Sequence, residues 1–135
     1  MAKDTSNSKV SADVKRNRLI IRLFGSVQKR DIERIYTDIR FCVADLKPGF
    51  AVITDLTEAR IGHLAGINTF IKITRYLSEK KVGPVVRVVG QAKVIFTQIA
   101  KLSQQISGYQ AMYAKDMEEA EVILADLIDK KRQVG

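Results

Sequence analysis

The chain has 135 residues, of which 46% are apolar and 28% are charged, and its formal net charge is +8. This size and composition predict one globular domain with a sizeable buried core, and they exclude a disordered chain. The sequence has no apolar run of the roughly 20 residues that a membrane helix needs and no apolar signal segment at its start, which predicts a cytoplasmic protein.

The N-terminal part of the chain predicts a disordered tail followed by a hairpin. Residues 1–9 are polar, and we expect them to be disordered. Residues 10–15 and the branched, apolar run Leu19–Phe24 are both typical of strands. Because only a short turn around Arg16 and Asn17 separates them, we expect the two strands to pair antiparallel.

A helix is predicted from about Lys29 to Leu46, because apolar residues recur there at spacings of three and four. One face of this helix would therefore pack on the sheet. The single cysteine, Cys42, falls on the apolar stripe, so we interpret it as a small buried side chain rather than a reactive thiol. A lone cysteine also excludes an intramolecular disulfide and a multi-cysteine metal site.

The middle of the chain predicts a buried strand, a polar bend and a helix. The run Phe50–Thr54 follows a Pro-Gly turn, and we interpret it as a strand that ends at Asp55. The bend covers residues 57–66, and the helix begins around Gly66. The residues predicted to face inward from this helix are Ile67, Phe70, Ile71, Ile73 and Leu77. Those predicted to face outward are Lys72, Arg75, Lys80 and Lys81.

The C-terminal part predicts a strand at residues 85–89, a third helix over residues 91–107, a short edge strand at residues 111–114 and a last helix. Asp116 is predicted to cap the last helix, with Glu119 as its capping-box partner. The order ββαβαβα(β)α predicts an α/β fold with a mixed sheet of four or five strands and four helices. The domain would cover residues 10–129, with a basic tail at residues 130–135.

The positive charge is concentrated in one part of the chain. Between Arg60 and Lys115 there are nine basic residues and one acidic residue, whereas the last helix is mainly acidic. The basic residues of this segment are Arg60, Lys72, Arg75, Lys80, Lys81, Arg87, Lys93, Lys101 and Lys115. Such a segment favours an anionic partner, whether an acidic protein, a lipid headgroup or a nucleic acid, although a merely solvated surface gives the same pattern. The lack of tryptophan and the aromatic residues on core stripes argue against sequence-specific nucleic-acid binding.

The segment from Asp55 to Ile67 reads DLTEARIGHLAGI, and it resembles the segment D-L-S-G-V-x-x-x-D-S-S-G-L of the STAS domain. That domain is shared by anti-sigma-factor antagonists and the cytoplasmic tails of sulfate transporters. Asp55, Leu56, Gly66 and Ile67 match or nearly match the pattern, and Thr57 stands in place of its first serine. The resemblance implies a STAS-like α/β fold and a non-enzymatic regulatory module that binds a partner protein.

The chain departs from this family at the residues that carry its regulation. The family's phosphoacceptor serine immediately precedes the glycine, and Ala65 occupies that position here. Leu64 replaces the serine before it, and His63 replaces the family's aspartate. Alanine has no hydroxyl, so the family's phosphorylation switch cannot operate at this residue. Thr57 and Thr69 are nearby hydroxyl groups, but the sequence singles out neither of them.

The sequence contains no catalytic constellation. His63 is the only histidine, and catalysis would require a nucleophile or a group that orients the imidazole, while a metal would require further ligands. No glycine-rich phosphate-binding motif is present. We therefore predict a protein without enzymatic activity, metal or cofactor.

The predicted partner-binding surface is the bend together with the helix that follows it. Its residues are Asp55, Thr57, His63, Ala65, Gly66, Asn68, Lys72 and Arg75. The basic flank favours an acidic protein partner, and Asp55 is expected to accept backbone hydrogen bonds in the bend. The alternative hypothesis is a carrier or sensor of an anionic small ligand, a lipid or a nucleotide, at the same strand-end bend. The sequence leaves open whether the protein forms a homodimer.

Overall fold

Five strands form one mixed sheet whose spatial order follows the chain. The computed structural model describes residues 8–60, 67–90 and 111–134. The strands are β1 (Lys9–Asp13), β2 (Arg18–Ser26), β3 (Ala51–Arg60), β4 (Val85–Val88) and β5 (Ala111–Ala114). β1 pairs antiparallel with β2, and the pairs β2–β3, β3–β4 and β4–β5 are parallel. The predicted hairpin and the predicted mixed sheet are therefore confirmed.

Three helices cover the two faces of this sheet in the described part of the chain. They are α1 (Lys29–Val43), α2 (Ile67–Glu79) and α3 (Met117–Val134). The predicted helix over residues 91–107 lies outside the described residues. α3 is the predicted last helix, and it continues to Val134 through the basic segment that the sequence analysis placed in a tail. Lysine and arginine are good helix formers and are favoured at helix C-termini, so the basic segment extends the helix.

The turn between β1 and β2 is fixed to the loop before β3. Asn17 adopts a left-handed conformation with φ at 56°, which asparagine tolerates better than most residues. Its side chain donates a hydrogen bond to the carbonyl of Lys47 and accepts one from the N–H of the same residue, at 3.1 and 2.8 Å. β1 begins at Lys9, one residue before the predicted start of the domain.

The larger part of the core lies between the sheet and the pair α1 and α2. The apolar stripe of α1 packs here, with Ile32, Ile35, Ile39 and Val43 buried and Cys42 half-buried. The helix begins where the N–H of Gln28 donates to the carboxylate of Asp31 at 2.9 Å. This core cluster includes Leu19, Ile21, Leu23, Ile32, Ile35, Ile39, Val52, Leu56, Ile73 and Leu77. The alternate residues of the strands point to the opposite face, as the two-residue period of a strand requires.

The opposite face of the sheet packs against α3. Its buried residues are Ala51, Ile53, Val86, Val88, Ala114, Ala120 and Leu124. Asp116 Oδ1 accepts a hydrogen bond from the N–H of Glu119 at 2.8 Å, and Glu119 Oε1 accepts one from the N–H of Lys115 at 3.0 Å. The predicted cap of the last helix is therefore confirmed. Because both faces of β4 are covered, all four of its residues are buried.

β3 is longer than the sequence predicts. The predicted strand ends at Asp55 and the predicted bend starts at residue 57, whereas β3 continues to Arg60, so residues 57–60 of the predicted bend belong to the strand. Its second half pairs with the carboxyl half of β2, where Phe24 lies opposite Glu58 and Ser26 lies opposite Arg60. Asp55 therefore lies within the strand, and the prediction that the strand ends there is wrong. Beyond Asp55, β3 no longer pairs with β4, and its side chains Thr57 and Glu58 are exposed. These polar residues give the local sequence the character of a loop.

Candidate functional site

β3 contains an irregularity where its surroundings change from apolar to polar. Arg22 of β2 pairs with Asp55 and Phe24 pairs with Glu58, so two residues of β3 lie opposite one residue of β2. This arrangement is a β-bulge, which bends a strand and re-aims its side chains. The pairing of β3 with β4 ends at Asp55. Thr57 therefore lies beyond β4, and it is exposed.

The side chain of Asp55 connects the residues around the bulge. Its Oδ1 accepts hydrogen bonds from the hydroxyl of Thr57 at 2.7 Å and from the N–H of Thr57 at 3.1 Å. Its Oδ2 lies 3.6 Å from Nη2 of Arg22, whose guanidinium also lies over the ring of Phe24. Asp55 is only 7% exposed, and buried charges require such partners. The prediction that Asp55 accepts a backbone hydrogen bond is confirmed, although it does so inside a strand.

Thr57 lies in a corner between β3 and the turn that follows β4. Gly90 occupies this turn with φ at 58°, a conformation that favours glycine. A β-carbon at position 90 would lie 3.5 Å from Cγ2 of Thr57. The methyl group of Thr57 thus lies next to Gly90, while its hydroxyl points to Asp55. The corner lies at the carboxyl ends of parallel strands, where sites of open α/β sheets usually form.

The predicted site residues on α2 form a separate group together with Glu79, which the prediction did not include. Asn68, Lys72, Arg75 and Glu79 are exposed and follow the spacing of one side of a helix. We call these four residues the α2 row. The remaining members of the predicted site lie outside the described residues, and their part in it stays a prediction: His63, Ala65 and Gly66.

Two tyrosines connect α1 to α2 and hold a cation on each side. The rings of Tyr36 and Tyr76 meet edge to face, with 5.9 Å between their centres. The guanidinium of Arg40 lies 4.8 Å from the centre of Tyr36, and Nζ of Lys80 lies 5.7 Å from the centre of Tyr76. Burial raises the pKa of Tyr76, and Tyr36 raises it further, while Arg40 lowers it. We call Tyr36 and Tyr76 the tyrosine bridge, and it presents Arg40 and Lys80 on the outer side of the two helices.

Arg87 does not belong to the basic surface. It was counted among the residues that favour an anionic partner, and this part of the prediction is wrong because Arg87 is only 3% exposed. Its Nη1 donates to the hydroxyl of Tyr113 at 2.9 Å, and its guanidinium lies 5.0 Å from the centre of the Phe70 ring. The sequence did contain a signal, since an arginine between two pairs of valines in a buried strand cannot reach solvent easily.

Two concavities lined by described residues differ in character. An apolar cavity of about 50 Å³ lies between the sheet and the helices α1 and α2, with Arg87 at its wall. Ligand sites usually measure about 300–1,000 Å³, so this cavity is too small for a nucleotide or an acyl chain. A more open concavity of about 540 Å³ lies along β1, and its basic residues are Lys9, Arg22 and Arg34. The sequence did not indicate this second concavity, because its residues meet only when β1, β2 and α1 come together, and α1 also adds the acidic Asp38.

Cys42 is half-buried, and its pKa is raised by burial and further by the carboxylates of Asp38 and Asp45. Because only the thiolate reacts, we expect alkylation of the folded protein by iodoacetamide to become fast at a higher pH than alkylation of the unfolded chain. Rates measured over a pH series with and without denaturant test this. The variant Asp45→Asn should lower the midpoint in the folded protein, whereas Asp129→Asn on α3 should leave it unchanged. A folded-state midpoint equal to or below that of the unfolded chain would contradict the predicted buried role of Cys42.

The described part of the chain holds no group of three or more His, Cys, Asp or Glu side chains that could bind a metal ion. Within the same ranges, no helix combines the length and the apolar character needed to cross a membrane.

The fold described above is a STAS-like fold, which confirms the fold expected from the segment at residues 55–67. The chain is similar to the anti-sigma-factor antagonist SpoIIAA in its unphosphorylated form, with a TM-score of 0.62, 14% identity, and coverage of 88% of this chain and 97% of that protein. For the phosphorylated form of Bacillus SpoIIAA, the TM-score is 0.61 and the identity 17%, with 87% and 98% covered.

An uncharacterized protein of the DUF3478 family from Shewanella loihica PV-4, which has a SpoIIAA-like fold, gives a TM-score of 0.65. It is 16% identical, and the match covers 96% of this chain and 97% of that protein. At these identities the likeness shows the fold alone. No family model matches the sequence, and no curated protein matches it.

Proposed function

We propose that this protein is a non-enzymatic, cytoplasmic STAS-like module that regulates a partner protein by binding an acidic region of it on the outer side of α2. The observation that carries the proposal is the α2 row, in which Lys72 and Arg75 are exposed on one side of the helix. Solved proteins of this fold include an anti-sigma-factor antagonist, which supports a role in protein binding.

The charges around the α2 row support an acidic partner. Lys80 and Lys81 follow the helix and are exposed, so α2 and its end carry four basic residues against the single acid Glu79. The tyrosine bridge holds Arg40 and Lys80 beside this surface. A positive surface of this kind attracts an acidic partner before contact and so speeds its association.

α1 also carries an exposed aromatic side chain. Phe41 is 75% exposed and follows Arg40 directly in the chain. Aromatic residues are enriched among the side chains that dominate binding at interfaces, usually within a surrounding of polar groups. The proposed docking surface therefore combines the α2 row with the tyrosine bridge, and Phe41 is a candidate contact for the same partner on the outer side of α1.

A second candidate function is the binding of an anionic small ligand, and the concavity along β1 is the observation that favours it. Its volume of about 540 Å³ and the basic side chains Lys9, Arg22 and Arg34 suit a phosphate-bearing molecule. The ligand would then lie along the edge of the sheet, whereas the sequence analysis placed it at the strand-end bend.

Charge reversal on the α2 row tests the docking proposal. The partner is first identified by pull-down from the cells that contain the protein and is then purified. We expect the variant Lys72→Glu with Arg75→Glu to slow its association by roughly tenfold or more at low salt and to weaken the salt dependence of the rate. The free energy of unfolding should change by no more than about 0.5 kcal/mol for each substitution, because both residues are exposed.

The matched control is Lys15→Glu with Arg16→Glu, which makes the same change of charge in the turn between β1 and β2. It should leave the association rate near that of the wild type. Unchanged binding by the α2 variant, with normal thermal unfolding, would contradict docking on α2. A saturable rise in melting temperature with nucleotides, phospholipid headgroups or fatty acids would instead support the small-ligand function, because ligand binding stabilises the native state.

A further inference from the structure

β1 is an edge strand of the sheet, and within the described residues it pairs with β2 alone. The N–H and carbonyl groups along its other side form a template on which another extended chain can add as a strand. Val10 of β1 is half-buried against the core under α1, whereas Lys9 and Ser11 are exposed. The core therefore holds β1 in place, and the concavity of about 540 Å³ runs along the strand.

Side chains from both faces of the sheet line this concavity. Arg22 lies opposite Lys9 in the strand pair, so both side chains project to the same face. Val10 projects to the other face, where α1 packs and supplies Arg34. Because Lys9, Arg22 and Arg34 all line the concavity, it extends around the edge of β1 from one face of the sheet to the other.

The charge at this edge is mainly positive. Three basic side chains line the concavity, and Asp38 opposes them. Arg22 is 53% exposed, although Asp55 lies 3.6 Å away and balances part of its charge. Arg34 donates to the carbonyl of Ser8 at 3.3 Å, which holds its guanidinium beside the start of β1. Guanidinium groups bind carboxylates through paired hydrogen bonds, so this edge suits an acidic chain.

We propose that β1 binds an acidic peptide segment of a partner protein, which adds in an extended conformation as a further strand at the edge of the sheet. Successive side chains of a strand point to opposite faces. Carboxylates at consecutive positions of the segment therefore face Lys9 and Arg22 on one side and Arg34 on the other. Main-chain hydrogen bonds to β1 supply affinity, and the acidic run supplies selectivity.

Two other occupants use this edge less completely. A small phosphate-bearing ligand matches the positive charge but leaves the open main-chain groups of β1 without a strand to pair with. A second copy of the chain could pair its own β1 here, but each copy carries a net charge of +8, which opposes self-association. The concavity includes no residue of the α2 row, so binding at β1 is independent of the proposed docking on α2.

The first test uses a short synthetic peptide with blocked ends and the sequence Thr-Val-Asp-Glu-Asp-Val-Thr. Its binding to the full chain is measured by calorimetry at low salt. Two further peptides carry N-methyl groups on alternate residues, one at the odd positions and one at the even positions. Only alternate residues of an added strand bond to the neighbouring strand. One methylated peptide should therefore bind roughly tenfold or more weakly than the parent, and the other about as well as the parent.

The second test changes the protein. Lys9→Glu is compared with the control Lys15→Glu, because both residues are exposed and Lys15 lies in the turn beyond β1. Lys9→Glu should weaken binding of the parent peptide by roughly fivefold or more and reduce its salt dependence, whereas Lys15→Glu should change it by less than about twofold. Thermal unfolding confirms that each variant is folded. The α2 variant Lys72→Glu with Arg75→Glu should bind the peptide like the wild type.

Four results would overturn strand addition at β1. Equal binding by the parent and both methylated peptides would show that charge alone holds the peptide. Loss of binding in the α2 variant, with normal binding by Lys9→Glu, would move the acidic chain to α2 and so support the docking surface there. Saturable binding of inorganic phosphate or a nucleotide without binding of the peptide would assign the edge to a small anionic ligand. Self-association without peptide, abolished by Lys9→Glu, would assign it to a second copy.

Discussion

Replacement of Phe50 by alanine is expected to lower the free energy of unfolding by about 3–5 kcal/mol. Phe50 is 1% exposed and is the largest fully buried side chain of the described residues. It lies just before β3 and belongs to the core cluster under α1 and α2. Its carbonyl also accepts the N–H of Gly83 at 2.7 Å, so the surrounding backbone cannot collapse freely into the space left by the ring. The substitution therefore leaves a cavity in addition to the loss of buried apolar area.

Chemical denaturation of the wild type and of Phe50→Ala measures this effect. The matched control is Phe41→Ala, which removes the same side chain from a position that is 75% exposed. It should change the free energy of unfolding by no more than about 0.5 kcal/mol. If the two variants were equally stable, the position of Phe50 in the core would be wrong. The same control has a second use, since Phe41→Ala should weaken partner binding if Phe41 contributes to the docking surface.

Replacement of Gly83 by alanine is expected to destabilise the protein by about 3 kcal/mol or more, although it adds a single methyl group. A β-carbon at this position would lie in contact with the carbonyl of Gly49, too close for the two atoms to remain where they are. This backbone cannot yield easily, because the N–H of Gly49 donates to the carbonyl of Lys81 and the N–H of Gly83 donates to that of Phe50. The methyl group would therefore push apart the segments that precede β3 and β4.

The control for this prediction is Gly90→Ala. There a β-carbon would meet its nearest neighbour at 3.5 Å, which is an ordinary contact, and the cost arises only from the positive φ. A left-handed conformation costs a residue with a side chain about 1–2 kcal/mol. Thermal and chemical unfolding of both variants should rank Gly83→Ala as the more destabilised. The reverse order would show that the two segments are not in the close contact described.

The sequence predicts the helices better than the strand ends, for a physical reason. A helix buries one side, so its apolar residues recur every three or four positions within its own segment. The predicted inward residues Ile32, Ile35 and Ile39 of α1 are indeed buried. The end of β3 depends instead on pairing with β2, which is distant in the chain. Thr57 and Glu58 resemble loop residues because β4 and the helices no longer cover them.

The sequence indicates some residues of the candidate site but not the contacts between them. The sequence indicates Asp55 and Thr57, yet the partner of Asp55 across the strands is Arg22, which only the register of β2 on β3 reveals. Arg87 is a different case, since its charge alone predicts a surface position but the valine pairs on both sides of it indicate the covered strand that buries it. The whole fold decides which side of a strand packs against a helix, and the local sequence pattern alone does not reveal this side.

The spatial order of the sheet repeats the order in which a ribosome makes the strands. Each strand after β2 adds beside the strand made just before it, so none has to insert between two that are already paired. A nascent chain can therefore build the sheet from one edge toward the other during synthesis. Among the described helices, α3 is the one that covers Val86 and Val88, and it is made after all five strands. The strands of the second face are therefore complete before this helix exists, and the contacts of Val86 and Val88 with α3 form only after the sheet can pair.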